Sequence, residues 1–170
     1  MAVSFYNANP RHTHMAPIDL NDDEVYSFLK TLQELDVKYL LVGGFAMAFH
    51  GFVRATNDLD LWIKYTPENI SKLKTALMRH GMEGLDKITE FERVPGVTEF
   101  RLGSTGFIVE PFKALKAFKE YDFDACYERA DAGTFKGLHF RVLERKDLLK
   151  EKKATNRPKD QGDIEFLEGQ

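Results

Sequence analysis

Beyond an opening stretch without periodicity, apolar positions along the chain fall into two rhythms. Residues 1–17 mix polar residues, His and Pro, and predict a loose N-terminal tail. Val25, Phe28, Leu29, Leu32 and Leu35 then recur at helical spacing behind Asn21-Asp22-Asp23, a run suited to an N-cap. Residues 37–42 (VKYLLV) are apolar and β-rich, are bounded by Gly43-Gly44, and predict a buried strand. Residues 45–50 predict a short helix closed by Gly51. After a turn at Asn57, Leu59, Leu61 and Ile63 alternate with Asp58, Asp60 and Trp62, the period of a strand. Pro67 opens a helix through Leu73, Leu77 and Met78 that stops at Gly81.

Residues 98–102 and 107–109 predict two strands paired around a turn at 103–106, with Pro111 ending the second. Residues 118–130 are more helical than not, 134–142 predict one further strand, and 148–154 and 160–167 predict two helices separated by Asn156-Arg157-Pro158. The order of these elements describes an α/β (α+β) domain spanning residues 18–170, a mixed sheet flanked by helices with a helical C-terminal end.

Composition narrows the class. The 170 residues are 43% hydrophobic, ordinary for a globular chain and too apolar for intrinsic disorder. Lys and Arg number 24 against 27 Asp and Glu, a formal net charge of −3 that gives no bulk attraction to nucleic acid or anionic membrane. The single cysteine, Cys126, cannot form an internal disulfide. No run reaches the roughly 18 apolar residues of a membrane span, and the first residues lack the apolar core of a secretory signal. The expectation is a soluble, cytoplasmic, single-domain protein that engages no membrane.

The chemistry concentrates in residues 41–63, LVGGFAMAFHGFVRATNDLDLWI. Strand geometry puts Asp58 and Asp60 on one face, roughly 6–7 Å apart, with Leu59 and Leu61 turned into an apolar layer. Adjacent carboxylates repel unless a positive charge sits between them, and Mg²⁺ favours one or two carboxylates with phosphate oxygens and water. A solvated edge strand with two exposed acids is the alternative. Upstream, Gly43-Gly44 joins a strand to a helix, where bare backbone N–H groups can approach an anion; the pair also suits a merely tight turn. Together the two features describe a triphosphate–Mg²⁺ site. Dinucleotide and Walker fingerprints are missing, Trp62 breaks any EF-hand pattern, and no Cys/His cluster supports zinc.

GG, then HG, then R-x-T-x-D-x-D resembles the active-site signature of the DNA polymerase β-like nucleotidyltransferase superfamily. More narrowly it resembles small bacterial nucleotidyltransferase-like proteins related to the toxin of abortive-infection toxin–antitoxin pairs. Residues 147–167 (DLLKEKKATNRPKDQGDIEFL) are similar to that subgroup's ending, a lysine-bearing helix before an R-P-x-D-x-x-D helix. The two blocks cover about a quarter of the chain. The resemblance implies a nucleotidyltransferase fold and Mg²⁺-dependent transfer of an NMP from an NTP to an acceptor hydroxyl, with two Mg²⁺ ions. It implies Gly43 and Gly44 on the nucleotide phosphates and Asp58 and Asp60 as metal ligands. Glu110 becomes the third, catalytic and metal-binding acid where the subgroup has Asp, a departure that lengthens the side chain by one methylene. Glu99 is the substitute for it, and a surface acid at a strand end is the alternative reading of Glu110.

Arg54 and Thr56 flank the acid pair and are candidate phosphate contacts, with a solvated loop as the alternative. Lys152 matches the lysine of the subgroup's C-terminal helix and is a candidate for neutralising triphosphate charge; a solvated lysine face with Lys150 and Lys153 is its alternative. Asp160 and Asp163 suit the first turn of a helix and pairing with Lys152 or Arg157. His50 is expected to close its helix and pack. Trp62 is expected in the core, with a base pocket as the alternative. The acceptor divides among RNA ends, protein hydroxyls and small molecules. So small a domain leaves acceptor binding to a homodimer, an antitoxin partner or a shallow cleft. The rival function is a catalytically weak nucleotide- or partner-binding module on the same fold.

Overall fold

The structure is a computed structural model that describes residues 3–7, 13–16, 20, 22–52, 56, 58–85, 99–103 and 107–169. The Asp22 carboxylate accepts hydrogen bonds from the backbone N–H groups of Glu24 (3.0 Å) and Val25 (3.1 Å), capping α1 (Asp23–Glu34). Its apolar face, Val25, Phe28, Leu29 and Leu32, is fully buried. β3 (Tyr39–Leu41) follows two short N-terminal strands and leads directly into α2 (Gly43–Phe49). β4 (Asp58–Ile63) returns antiparallel to β3. Thr66 caps α3 (Pro67–Arg79), with Pro67 in its first turn. α1 and α3 pack on each other, and α2 packs against β4.

The sheet is mixed. Its six strands from β3 onward lie in the order β7-β8-β3-β4-β6-β5, with β4 parallel to β6 (Phe107–Phe112) and β3 parallel to β8 (Leu138–Val142). β5 (Phe100–Leu102) and β7 (Asp131–Phe135) pair antiparallel to β6 and β8. A 3₁₀ turn (Glu120–Asp122) and α4 (Phe123–Arg129) precede β7. α5 (Arg145–Thr155) and α6 (Asp160–Glu168) form the helical C-terminal end. The mixed α/β class and the helical ending are as expected. Among the described residues, no helix is long and apolar enough to cross a membrane.

Three expectations are corrected. Within residues 1–17, read as a loose tail, β1 (Val3–Asn7) and β2 (Thr13–Ala16) form an antiparallel pair, and β1 joins the edge of β7. Strands this short carry too few alternations to register as a period. The single strand expected over 134–142 is a hairpin. Lys136 (φ 46°) and Gly137 (φ 81°) make its two-residue turn, the left-handed pair a tight hairpin demands. Finally, β6 runs through Pro111 to Phe112. β5 begins at Phe100, opposite Val109, so the later residues of β6 pair only with β4, and a missing N–H is tolerated on an open strand edge.

Candidate active site

Period-2 geometry and strand register assemble the acids. Leu59 and Leu61 are fully buried, while Asp58 and Asp60 on the opposite face remain partly exposed. On the neighbouring parallel strand, Glu110 stands in register with Asp60 and Val109 with Leu59. Parallel neighbours lie about 4.8 Å apart and in-register side chains share a face, so Glu110 and Asp60 stand side by side. The register thus brings together the three acids expected from the sequence. Glu99 is exposed and precedes β5, whose partner is β6 rather than β4.

The electrostatics of the trio are unbalanced. Burial, then the charges of Glu110 and Asp58, push the Asp60 carboxyl up from 3.8 to about 6. The Gly44 backbone N–H, which donates to the carboxylate, and the charge of Lys152 offset only part of this. Among the described residues, no group of three or more His, Cys, Asp or Glu side chains converges as a ready-made metal site. A Mg²⁺ ion needs only one or two carboxylates when phosphate oxygens complete its shell. Asp58, Asp60 and Glu110, hard oxygens with surplus negative charge, offer such an ion the one or two carboxylates it takes.

The glycine pair is explained by these same side chains. α2 begins at Gly43, where φ is +61°, and a Cβ built there would overlap the Asp60 Oδ2. A Cβ on Gly44 would stand 2.8 Å from the Thr56 Oγ1 and 2.9 Å from its Cβ. Gly43-Gly44 therefore lets the acid strand and its entry close onto the start of α2. Thr56 fixes that entry: its Oγ1 accepts from the Asp58 N–H (3.3 Å). Arg54 and Asn57 lie outside the described residues.

Lys152 stands beneath the site and not on its surface. Its side chain is 3% exposed and lies between the carboxylates of Asp160 (3.1 Å) and Asp163 (2.7 Å). It is not part of a solvated lysine face. Its charge reaches Asp60 through the field, since burial between two acids leaves no open approach for a phosphate. Asp160 also accepts from the Thr155 hydroxyl (2.9 Å), the Arg157 backbone N–H (3.0 Å), and the Arg157 Nε (2.8 Å) and Nη2 (3.0 Å). Although burial opposes its ionisation, these donors and Lys152 hold its carboxyl well below the ordinary range. Arg157, not singled out by sequence as a site residue, has a half-exposed side chain. The Asp160 hydrogen bond foremost, and also the charges of Asp60 and Asp163, hold its guanidinium above the ordinary value. The R-P-x-D spacing carried the signal for this pairing, but its proximity to Asp60 is a tertiary fact.

Two further residues sit where packing was expected. His50 is buried at the end of α2, and its Nε2 donates to the Leu143 carbonyl oxygen (2.9 Å). Trp62 is fully buried against Phe118 and Phe123, and its Nε1 donates to the Lys113 carbonyl oxygen (3.2 Å). It belongs to the core and not to a base pocket. Compared with known proteins, the chain matches no family profile and no curated protein.

Proposed function

We propose that the chain is a Mg²⁺-dependent nucleotidyltransferase that moves an NMP from an NTP to an acceptor hydroxyl. One observation carries the reading: Asp58, Asp60 and Glu110 share one face of adjacent parallel strands, closed against a glycine turn, with more negative charge than their surroundings compensate. The acceptor oxygen would attack the α-phosphorus in line. A new P–O bond forms, the bond to the leaving pyrophosphate breaks, and the acceptor proton passes to Glu110 or to water. Bound Mg²⁺, held by Asp58, Asp60 and Glu110, would supply neutralising charge for the reacting phosphate oxygens. The chain's own part is to hold the acids on a rigid sheet, with Asp60 ionised above pH 6 and the Gly44 N–H and the Lys152 field steadying its charge. Gly43 and Gly44 let Asp60 and Thr56 close onto the start of α2, which seats the acid strand against the turn. The acceptor is an RNA end, a protein hydroxyl or a small molecule, and a second copy or an antitoxin partner would complete the acceptor surface.

The second reading is a catalytically weak nucleotide- or partner-binding module on the same scaffold. It draws on Glu110, whose extra methylene displaces a ligand by about an ångström, at a cost of about a hundredfold in rate. The test is transfer of label from α-labelled NTPs to bulk RNA, protein and aminoglycoside acceptors. The enzyme reading expects labelled product that vanishes in Asp58→Ala and increases in Glu110→Asp. Binding of NTP without product in wild type and Glu110→Asp alike would leave only the binding module.

A further inference from the structure

Resting on the nucleotide-site reading, we infer that Arg157, at the corner between α5 and α6, is the side chain that grips the phosphate groups of the nucleotide. Two cations are coupled to Asp60, and they are built for different tasks. Lys152 is enclosed by Asp160 and Asp163 with 3% of its side chain exposed, so a ligand reaching it would first have to break a buried ion pair. Arg157 is 50% exposed. Asp160 holds its guanidinium side-on through Nε and Nη2, at 2.8 and 3.0 Å, a fork that fixes the plane of the group and leaves the remaining edge for a second anion.

The corner is rigid enough to aim that edge. Asn156, with φ of 46°, ends α5 in the left-handed conformation, and its Oδ1 accepts from the Gln161 Nε2 at 2.8 Å. The Arg157 backbone N–H is itself tied to Asp160 at 3.0 Å. α5 packs on α2, the helix that begins at the glycine turn, and the Phe52 ring just beyond α2 packs tilted against Phe166 of α6, with ring centroids 4.9 Å apart. Asp160, buried and satisfied by five donor contacts from Lys152, Thr155 and Arg157, is the positioning residue for this arginine. An NTP brings several negative charges to a site that already holds three carboxylates, so a fixed, exposed guanidinium within the electrostatic reach of Asp60 offsets charge that the buried Lys152 cannot contact.

The test is calorimetric titration of MgATP and MgAMP into wild type, Arg157→Gln and Arg157→Lys, with melting curves recorded for each. Loss of a bidentate charge-assisted contact weakens MgATP binding about 10- to 100-fold. MgAMP, with fewer phosphates to grip, loses less, so the ratio of the two affinities falls about tenfold. Arg157→Lys, which keeps the charge without the fork, falls between, and serves as the decisive variant if Arg157→Gln melts below the assay temperature. An unchanged ATP-to-AMP ratio in folded variants, with wild type still binding MgATP, would overturn the role of Arg157 and leave the nucleotide site standing. No binding of MgATP or MgAMP to wild type would overturn both.

Discussion

Asp60→Asn removes one charge from the acid trio while keeping shape and an acceptor for the Gly44 N–H, so its effect on stability measures the cost of holding that charge, by burial first and by repulsion second. The carboxyl is raised from 3.8 to about 6 by burial and by Glu110 and Asp58. A folded-state pKa above the unfolded one means the native protein binds the proton more tightly, so wild-type stability falls as pH rises from about 4 to above 6. At about 1.4 kcal/mol per pH unit, the ionised carboxylate costs about 3 kcal/mol at pH 8. Asn bears no such cost. Asp60→Asn is therefore expected to be more stable than wild type at pH 8 by up to about 3 kcal/mol. That corresponds to about 9 °C in Tm, since a chain of this length shifts by about 3 °C per kcal/mol. Near pH 4 the two should melt together. Thermal melts from pH 4 to pH 8 in a metal-free buffer read this out. An Asp60→Asn variant that is equally destabilised at both ends of the range would refute the reasoning, because the carboxylate would then be a satisfied structural anion.

Three further perturbations test the fold around and beyond the trio. Lys152→Ala removes the cation from between the buried carboxylates of Asp160 and Asp163 and should cost about 3–5 kcal/mol at neutral pH, which denaturant melts check. Gly43→Ala and Gly137→Ala both force a side chain into positive φ, at about 1–2 kcal/mol each, but only the first meets Asp60 while the second meets open space. Gly43→Ala should accordingly be the costlier, and the excess should shrink in an Asp60→Ala background, which a double-mutant cycle on melting free energies measures. Cys126 is fully buried, and burial followed by the charge of Asp147 pushes its thiol up to about 12. It should resist thiol reagents at pH 8 in native protein and react fully in denaturant.

The stretch from α1 to α3 is legible because each element carries its own signal: an N-cap at Asp22, a Gly-Gly stop after β3, strict alternation in β4, and Pro67 opening α3. The same alternation is enough to put Asp58 and Asp60 on one face. What local pattern does not encode is partner choice. The pairing of β1 with β7 joins segments more than a hundred residues apart, and the register of Glu110 with Asp60 depends on which strand β6 lies beside. The Lys136-Gly137 turn is readable in principle, yet the apolar alternation on its two sides runs together as one strand. The reach of Lys152 and Arg157 is the least legible feature. One lysine of a charged helix looks like its neighbours until α5 and α6 fold over, burying Lys152 and leaving Arg157 half exposed.

Calorimetric titration of MgATP and MgGTP into wild type and an Asp58→Ala, Asp60→Ala double variant tests the central claim most directly. A triphosphate–Mg²⁺ site on the acid trio predicts binding of at least one nucleotide that requires Mg²⁺ and disappears in the double variant while its fold is retained. Absence of binding to wild type, or binding that survives loss of both aspartates, would contradict it.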